Sequence, residues 1–252
     1  MKRDYTFDVE KVTGDCVQWI KDWFEKNGSG CNAVLGLSGG KDSTIVAKLC
    51  VEALGADRVI GVMMPNGIQK DISDSQRVCE FLGIKNYTIN IEGAVNSTLN
   101  QMKECGIEIS EQTRTNLPAR IRMSTLYAVS QSNNGRVSNN CNRSENYVSY
   151  ETKYGDGAGD FAPIANLTVR ELLKIGDYLG LPYELVHKTP IDGLNTNPDG
   201  SYVTDEQGLG FSYAELDDYL LYGIEPDPKK LEKIEKMHQR GIAKNRMLSF
   251  EF

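Results

Sequence analysis

Ala33-Val34-Leu35-Gly36-Leu37-Ser38-Gly39-Gly40-Lys41-Asp42-Ser43-Thr44-Ile45-Val46 decides how this 252-residue chain is read. Its first five residues are short, apolar and partly branched, as in a buried parallel strand. Beyond it, Ile45, Val46, Leu49, Cys50 and Ala53 recur at helical spacing. Ser38 to Ser43 is therefore a strand-to-helix turn. Its glycines let backbone N–H groups approach a ligand closely. The two serine hydroxyls and the positive end of the helix dipole add further donors for phosphate oxygens. Asp42 departs from that pattern, because a carboxylate repels phosphate; it fits if it carries a magnesium ion between itself and the phosphates. A Walker loop is excluded, since Asp42 stands where that motif has Ser or Thr after its lysine.

After this turn, strand and helix alternate. Arg58 to Met64 reads as a second strand closed by Pro65-Asn66-Gly67. Asp71 to Leu82 reads as a helix capped by Asp71 or Ser73, and Asn86 to Ile91 as a third strand. Helices are expected at about 93–104 and 116–132, separated by a polar stretch at 105–115. Arg136-Val137-Ser138 reads as a short fourth strand. This order predicts an α/β fold, a doubly wound, mostly parallel sheet with helices on both faces. Ligands of such sheets lie at the carboxyl ends of the strands, where Ser38 and Asn139 both fall.

Upstream, Val9, Val12, Cys16, Trp19, Ile20, Trp23 and Phe24 place an apolar stripe on a helix over 7–27; two tryptophans on one stripe suit a partner surface as well as a core. Toward the C-terminus, about 166–252 reads as a mainly helical part of the same single domain, 1–252. Helices are expected at 169–179, 212–221 and 228–240. Pro198-Asp199-Gly200 marks a turn inside a flexible stretch at 195–204. The stretches at 105–115 and 195–204 are expected to act as lids.

A net charge of −7 argues against a broad nucleic-acid surface. The six cysteines form no Cys-x-x-Cys pair and only two histidines are present, so a structural zinc site is not expected. No run is apolar and long enough to span a membrane and no secretory signal is seen; the thiols then read as reduced, in a cytoplasmic protein. His187 and His238 read as structural residues, and Cys141 as a packed thiol.

A second constellation follows the fourth strand: Asn139-Asn140-Cys141-Asn142-Arg143-Ser144-Glu145, then Thr152-Lys153-Tyr154-Gly155-Asp156-Gly157-Ala158-Gly159-Asp160. A carboxylate at this strand end could complete the metal shell begun by Asp42. Lys153 offers a point charge for phosphate or carboxylate.

With these residues the chain resembles the ammonia-dependent NAD synthetases, from about Ser38 to the C-terminus. Ser38-Gly39-Gly40-Lys41-Asp42-Ser43 matches the pyrophosphate loop of the wider ATP pyrophosphatase group. Ala119-Arg120-Ile121-Arg122-Met123, Ser144-Glu145, Lys188-Thr189-Pro190 and Asp205-Glu206-Gln207-Gly208-Leu209-Gly210 match further family motifs. The resemblance implies an adenine nucleotide alpha hydrolase-like fold. It also implies ATP-dependent amidation of deamido-NAD by ammonia through an acyl-adenylate, releasing AMP and pyrophosphate. It gives magnesium to Asp42 and Glu145. It gives ATP to Gly36, Leu37, Ser38, Gly39, Gly40, Lys41, Asp42, Ser43 and Asn140, and deamido-NAD to Arg120, Lys153, Asp160 and Lys244. Asp42, Glu145 and Lys153 are the implied catalytic residues. A homodimer with the helix of 7–27 at its interface is implied as well. Asn140, Val169, Ile191 and Ala243 depart from family patterns. The alternatives are another ATP pyrophosphatase, such as a tRNA-thiolating enzyme, and a catalytically weakened nucleotide-binding homologue. Ammonia rather than glutamine is the expected nitrogen source, since neither Cys16 nor Cys31 has a histidine near it in sequence to make it an activated thiol.

Overall fold

Helix α1 (Val9–Asn27) leads into strand β1 (Asn32–Gly36), and β1 into helix α2 (Lys41–Leu54) through the turn at Ser38–Gly40. Then come β2 (Val59–Met63), α3 (Ile72–Leu82), β3 (Lys85–Thr88), α4 (Glu92–Glu104), α5 (Glu111–Ser132) and β4 (Gly135–Val137). The C-terminal part holds α6 (Arg143–Val148), α7 (Val169–Tyr178), α8 (Tyr183–Val186), β5 (Ile191–Thr196), β6 (Tyr202–Thr204), α9 (Asp205–Leu209), α10 (Tyr213–Tyr222) and α11 (Pro228–Asn245). The structure is a computed structural model and describes residues 4–69, 72–189, 191–196 and 202–245.

The main sheet is parallel, in the order β3-β2-β1-β4, with Ala33 opposite Val59 and Asn32 opposite Gly135. Beyond β4, Ser138 bridges Phe161 in parallel, so the chain at 160–161 covers that edge. Alternate residues of a strand point to opposite faces, and β1 shows the result. Ala33 and Leu35 join a core built with α1, α2, α3, α7 and α8, whereas Val34 joins a second core with α4 and α5. The sheet is thus doubly wound as expected. Gly61 in β2 is required by packing: a Cβ there would lie 2.4 Å from Leu37 Cδ1. A third apolar cluster, including Val148, Val169, Phe211, Leu216 and Ile234, joins the C-terminal helices to α6.

Three expectations change. First, α5 starts at Glu111, because Ser110 caps it by accepting from the Thr113 N–H at 3.1 Å. The second part of the stretch expected as a lid at 105–115, from Glu111 on, is therefore helical, although it is polar and weakly patterned in sequence. Second, Asn195 and Thr196 belong to β5, which pairs antiparallel with β6, so part of the 195–204 stretch is a hairpin. Its Pro198-Asp199-Gly200 turn lies outside the described residues, as do the Asp71 cap and Pro190. Third, Trp23 is used inside the chain, with its ring 5.1 Å from those of Phe24 and Phe161. Trp19 on the same helix remains 42% exposed.

Candidate functional site

The site lies where the sheet reverses winding direction. From β1 the chain moves toward β2, and β4 pairs on the other side of β1, so the loops after β1 and β4 diverge and leave a crevice at their carboxyl ends. The loop after β1 is held by its own side chains. Ser38 Oγ accepts from the Gly40 N–H at 3.2 Å and lies 3.3 Å from Ser43 Oγ. The Thr44 hydroxyl donates to the Gly40 carbonyl at 2.7 Å. Gly40, the N-cap of α2, has no side chain to cap the helix, which leaves first-turn amides for an anion. Gly39 has φ +77°, and its missing Cβ would lie 2.9 Å from Asp74 Cβ and 3.0 Å from the Ser75 nitrogen. The start of α3 is thus packed directly on the loop. Lys188 joins it there, its ammonium 2.7 Å from Asp74.

The loop after β4 supplies the second carboxylate. Asn142, fully buried, caps α6: its side chain accepts from the Glu145 N–H at 3.0 Å, and Glu145 Oε2 accepts from the Asn142 N–H at 3.1 Å. This reciprocal capping box fixes the Glu145 side chain. The Asn142 amide also donates to Asp42 Oδ1 at 3.3 Å, so one residue touches both carboxylates. Behind it, buried Ser144 donates to buried Asp217 at 2.6 Å and accepts from the Val169 N–H. Val169 is thereby a packing residue on the C-terminal core. Asn142 was legible only as part of a motif; the Asn-x-x-Glu spacing ahead of a short helix is the signal that finds it.

Withdrawal from solvent and then the charge of Asp42 push the Glu145 carboxyl up to about 8, against the opposing pull of Lys41. Lys41 itself is 5% exposed, its ammonium 2.9 Å from Asp42 Oδ2 and 5.6 Å above the Tyr213 ring. Burial works against its charge, but the carboxylates of Asp42, Glu145 and Asp205 hold it above the ordinary lysine value. Asp205, buried, receives the Tyr213 hydroxyl at 3.4 Å. It is a second residue of the cluster that sequence showed only as part of a motif. Two carboxylates in mutual repulsion form an all-oxygen donor set suited to magnesium shared with phosphate. Among the described residues no group of three His, Cys, Asp or Glu side chains is arranged to hold a metal.

A carboxyl raised in the folded state makes the native protein bind more protons than the unfolded chain between the two values. Stability contributed by this group is then lost as pH rises from about 4.5 toward 8. In metal-free protein, the thermal midpoint of the wild type should fall more than that of Glu145→Gln between about pH 5 and pH 8.5. Parallel curves for the two proteins would contradict this.

The remaining expected residues fall in two groups. Asn140 is engaged internally, accepting from Ser138 at 2.5 Å and donating to the Gly36 carbonyl at 3.1 Å, which ties the ends of β4 and β1 together. Arg120, Lys153 and Lys244 line a cleft of about 690 Å³ with Glu111, Asn116 and Glu151. Within it Arg120 Nε donates to the Lys153 carbonyl at 3.1 Å, and Lys244 donates to the carbonyls of Ser149 and Glu151. Lys153 also borders an adjoining cleft with Asn139, Tyr154 and Asp160. Asp160 accepts from the Val137 N–H at 2.7 Å and from Tyr127 at 3.1 Å. Arg122 reaches the carboxyl end of β2 and donates to the Met64 carbonyl at 2.9 Å.

The two histidines and Cys141, read as structural, are engaged within the chain. His187 lies 2.9 Å from Asp177 and stacks on Tyr183, and His238 stacks on Tyr147. Cys141 is buried, and burial followed by the Glu145 charge pushes its thiol well above the ordinary range.

The chain is similar to known proteins over nearly its whole length. The profile of the NAD synthase family matches residues 12–249. The NH(3)-dependent NAD(+) synthetase of Archaeoglobus fulgidus is 38% identical over 246 residues, covering 95% of this chain and 96% of that protein. The solved structure of the NMN synthetase from Francisella tularensis is 32% identical, covers 98% of this chain and 99% of that one, and superposes with a TM-score of 0.87. The NH3-dependent NAD synthetase from Campylobacter jejuni, solved with a nitrate ion, is 30% identical, covers 98% and 100% of the two chains, and gives 0.77. With a match that runs through both loops of the crevice and nearly the whole fold around them, the chain belongs to the NAD synthase family.

Proposed function

We propose that the protein amidates deamido-NAD to NAD with ATP and ammonia, releasing AMP and pyrophosphate. The observation that carries this reading is the meeting of Asp42 and Glu145 through Asn142, beside an uncapped helix start and a self-bonded loop. The first-turn amides of α2 and the hydroxyls of Ser38 and Ser43 hold the departing pyrophosphate, with the dipole end of α2 favouring its charge. Asp42 and Glu145 would hold magnesium, which when bound neutralises charge on the phosphates. Arg120, Lys153, Asp160 and Lys244 position the dinucleotide in the adjoining clefts, its nicotinate carboxylate facing the α-phosphorus. Attack joins that carboxylate to AMP, and ammonia then displaces AMP to leave the amide. Family membership sets aside the tRNA-thiolating alternative. The acting form is a cytoplasmic homodimer, with exposed Trp19 rather than Trp23 as the aromatic that α1 offers a partner.

A second reading is favoured by one observation: the superposition is better on the Francisella NMN synthetase than on the Campylobacter NAD synthetase. The deamido form of nicotinamide mononucleotide would then be the substrate. One assay separates the two. With ATP, magnesium and ammonium, product and AMP should form together from deamido-NAD, at a higher kcat/KM than from the mononucleotide. The rate per total ammonium should rise with pH, because only neutral ammonia carries the attacking lone pair. A preference for the mononucleotide would establish the second reading. ATP turnover to ADP would refute both, and glutamine used as efficiently as ammonium would remove ammonia as the donor.

A further inference from the structure

We propose that Lys41 is the built-in counter-ion of the carboxylate pair. In the metal-free protein its ammonium holds the place that a divalent cation takes, and it yields that place only when nucleotide arrives. The proposal rests on the ATP and magnesium reading above and gives Lys41 a role other than simple phosphate contact.

Three features of Lys41 require explanation together. It is the first residue of α2, where the positive end of the helix dipole disfavours a cation. Its side chain is 5% exposed, and burying an ammonium costs several kcal/mol unless anions surround it. Finally, the ammonium turns into the protein rather than toward the open amides of the loop. It lies 2.9 Å from Asp42 Oδ2 and over the face of Tyr213, among the charges of Glu145 and Asp205. A lysine kept for phosphate alone gains nothing from this placement. A lysine that compensates Asp42 and Glu145 gains all its partners there.

One ammonium does not balance every carboxylate around it. Asp42, Glu145 and Asp205 all act on Lys41, so the cluster still attracts a cation. A magnesium ion entering alone must compete with Lys41, and the displaced ammonium would lose its carboxylate partners. A magnesium ion entering with a triphosphate brings oxygens that can receive the ammonium instead. Metal and nucleotide therefore bind as one event, and the metal is not taken up in an empty site.

The test measures metal binding and stability, not turnover. Without nucleotide, magnesium should scarcely change the wild-type thermal midpoint, and calorimetry should detect firm binding only when a non-hydrolysable ATP analogue is present. Lys41→Met and Lys41→Gln should melt at lower temperature than wild type without metal. Magnesium alone should restore both, binding about tenfold or more tighter than to wild type. A wild type that binds magnesium without nucleotide as tightly as the variants overturns the proposal, and the wild-type measurement stands even if a variant does not fold. Variants that are destabilised but not restored by magnesium overturn it as well, since a lysine that only packs would behave so. Because no product is measured, these results are independent of the substrate assay: failure of the assay refutes the enzymatic reading, and equal magnesium binding refutes the role of Lys41.

Discussion

Asp42→Asn and Glu145→Gln should each slow the formation of AMP and pyrophosphate by on the order of a thousandfold, the scale of losing a preorganised charge stabiliser. The fold should survive. Glu145 is raised by its withdrawal from solvent and by Asp42, so the pair opposes itself in the metal-free protein. Replacing Glu145 by its amide relieves that repulsion at nearly constant shape, whereas Asp42→Asn also removes the ion-pair partner of buried Lys41 and should lower the melting midpoint. For Glu145→Gln, a melting midpoint equal to or above that of the wild type, combined with the lost rate, identifies a chemical role. Each variant should also need more magnesium to reach its residual rate. A variant that releases pyrophosphate at close to the wild-type rate would remove its carboxylate from the site.

The second large effect is expected at Gly39. Alanine there meets two separate penalties. At φ +77° a side chain costs about 1–2 kcal/mol of backbone energy. Its Cβ, at 2.9 Å from Asp74 and 3.0 Å from the Ser75 nitrogen, forces the loop away from α3, a crowding cost of about 1–3 kcal/mol. The loop carries the phosphate donors, so a displacement near 1 Å should lower kcat/KM about a hundredfold. Gly55→Ala is the matched control. Its φ is +85°, but nothing lies within 4 Å of the added Cβ. It should lose stability from the backbone term alone and keep its activity. Equal loss of activity in the two variants would show that crowding by α3 is unimportant.

The sheet was legible because β1 and β2 are apolar on both faces, which only a strand covered on two sides requires. Asp42 and Glu145 were legible because carboxylates beside phosphate donors need a reason to be there. What stayed hidden depends on geometry between distant residues. Asn142 looked like one of several asparagines, and only its amide at Asp42 and its cap on Glu145 single it out. Lys41 could not be oriented from sequence, because a lysine stem reaches equally well inward or outward. Trp23 sits on an apolar stripe that says which side of α1 is buried, not whether the burying surface is this chain or another; the ring of Phe161 answers that. The start of α5 was missed because its first residues are polar and show no helical apolar spacing, while Ser110 held the cap.

The place of β1 between β2 and β4 has a consequence for how the protein comes to exist. β1, β2 and β3 lie close together along the chain and can pair as they emerge, each closing a short loop. β4 must pair with Asn32 and Ala33 from residues 135 and 136, after α3, α4 and α5 have been passed. Closing that long loop is the entropically costly step, and non-local pairings of this kind form slowly. Asp42 belongs to the early half and Glu145 to the late one. The two carboxylates repel, so their approach opposes the same closure that brings them together. An ammonium at Lys41 already beside Asp42 removes part of that opposition before any metal is present, and lets the two halves of the active centre meet during folding.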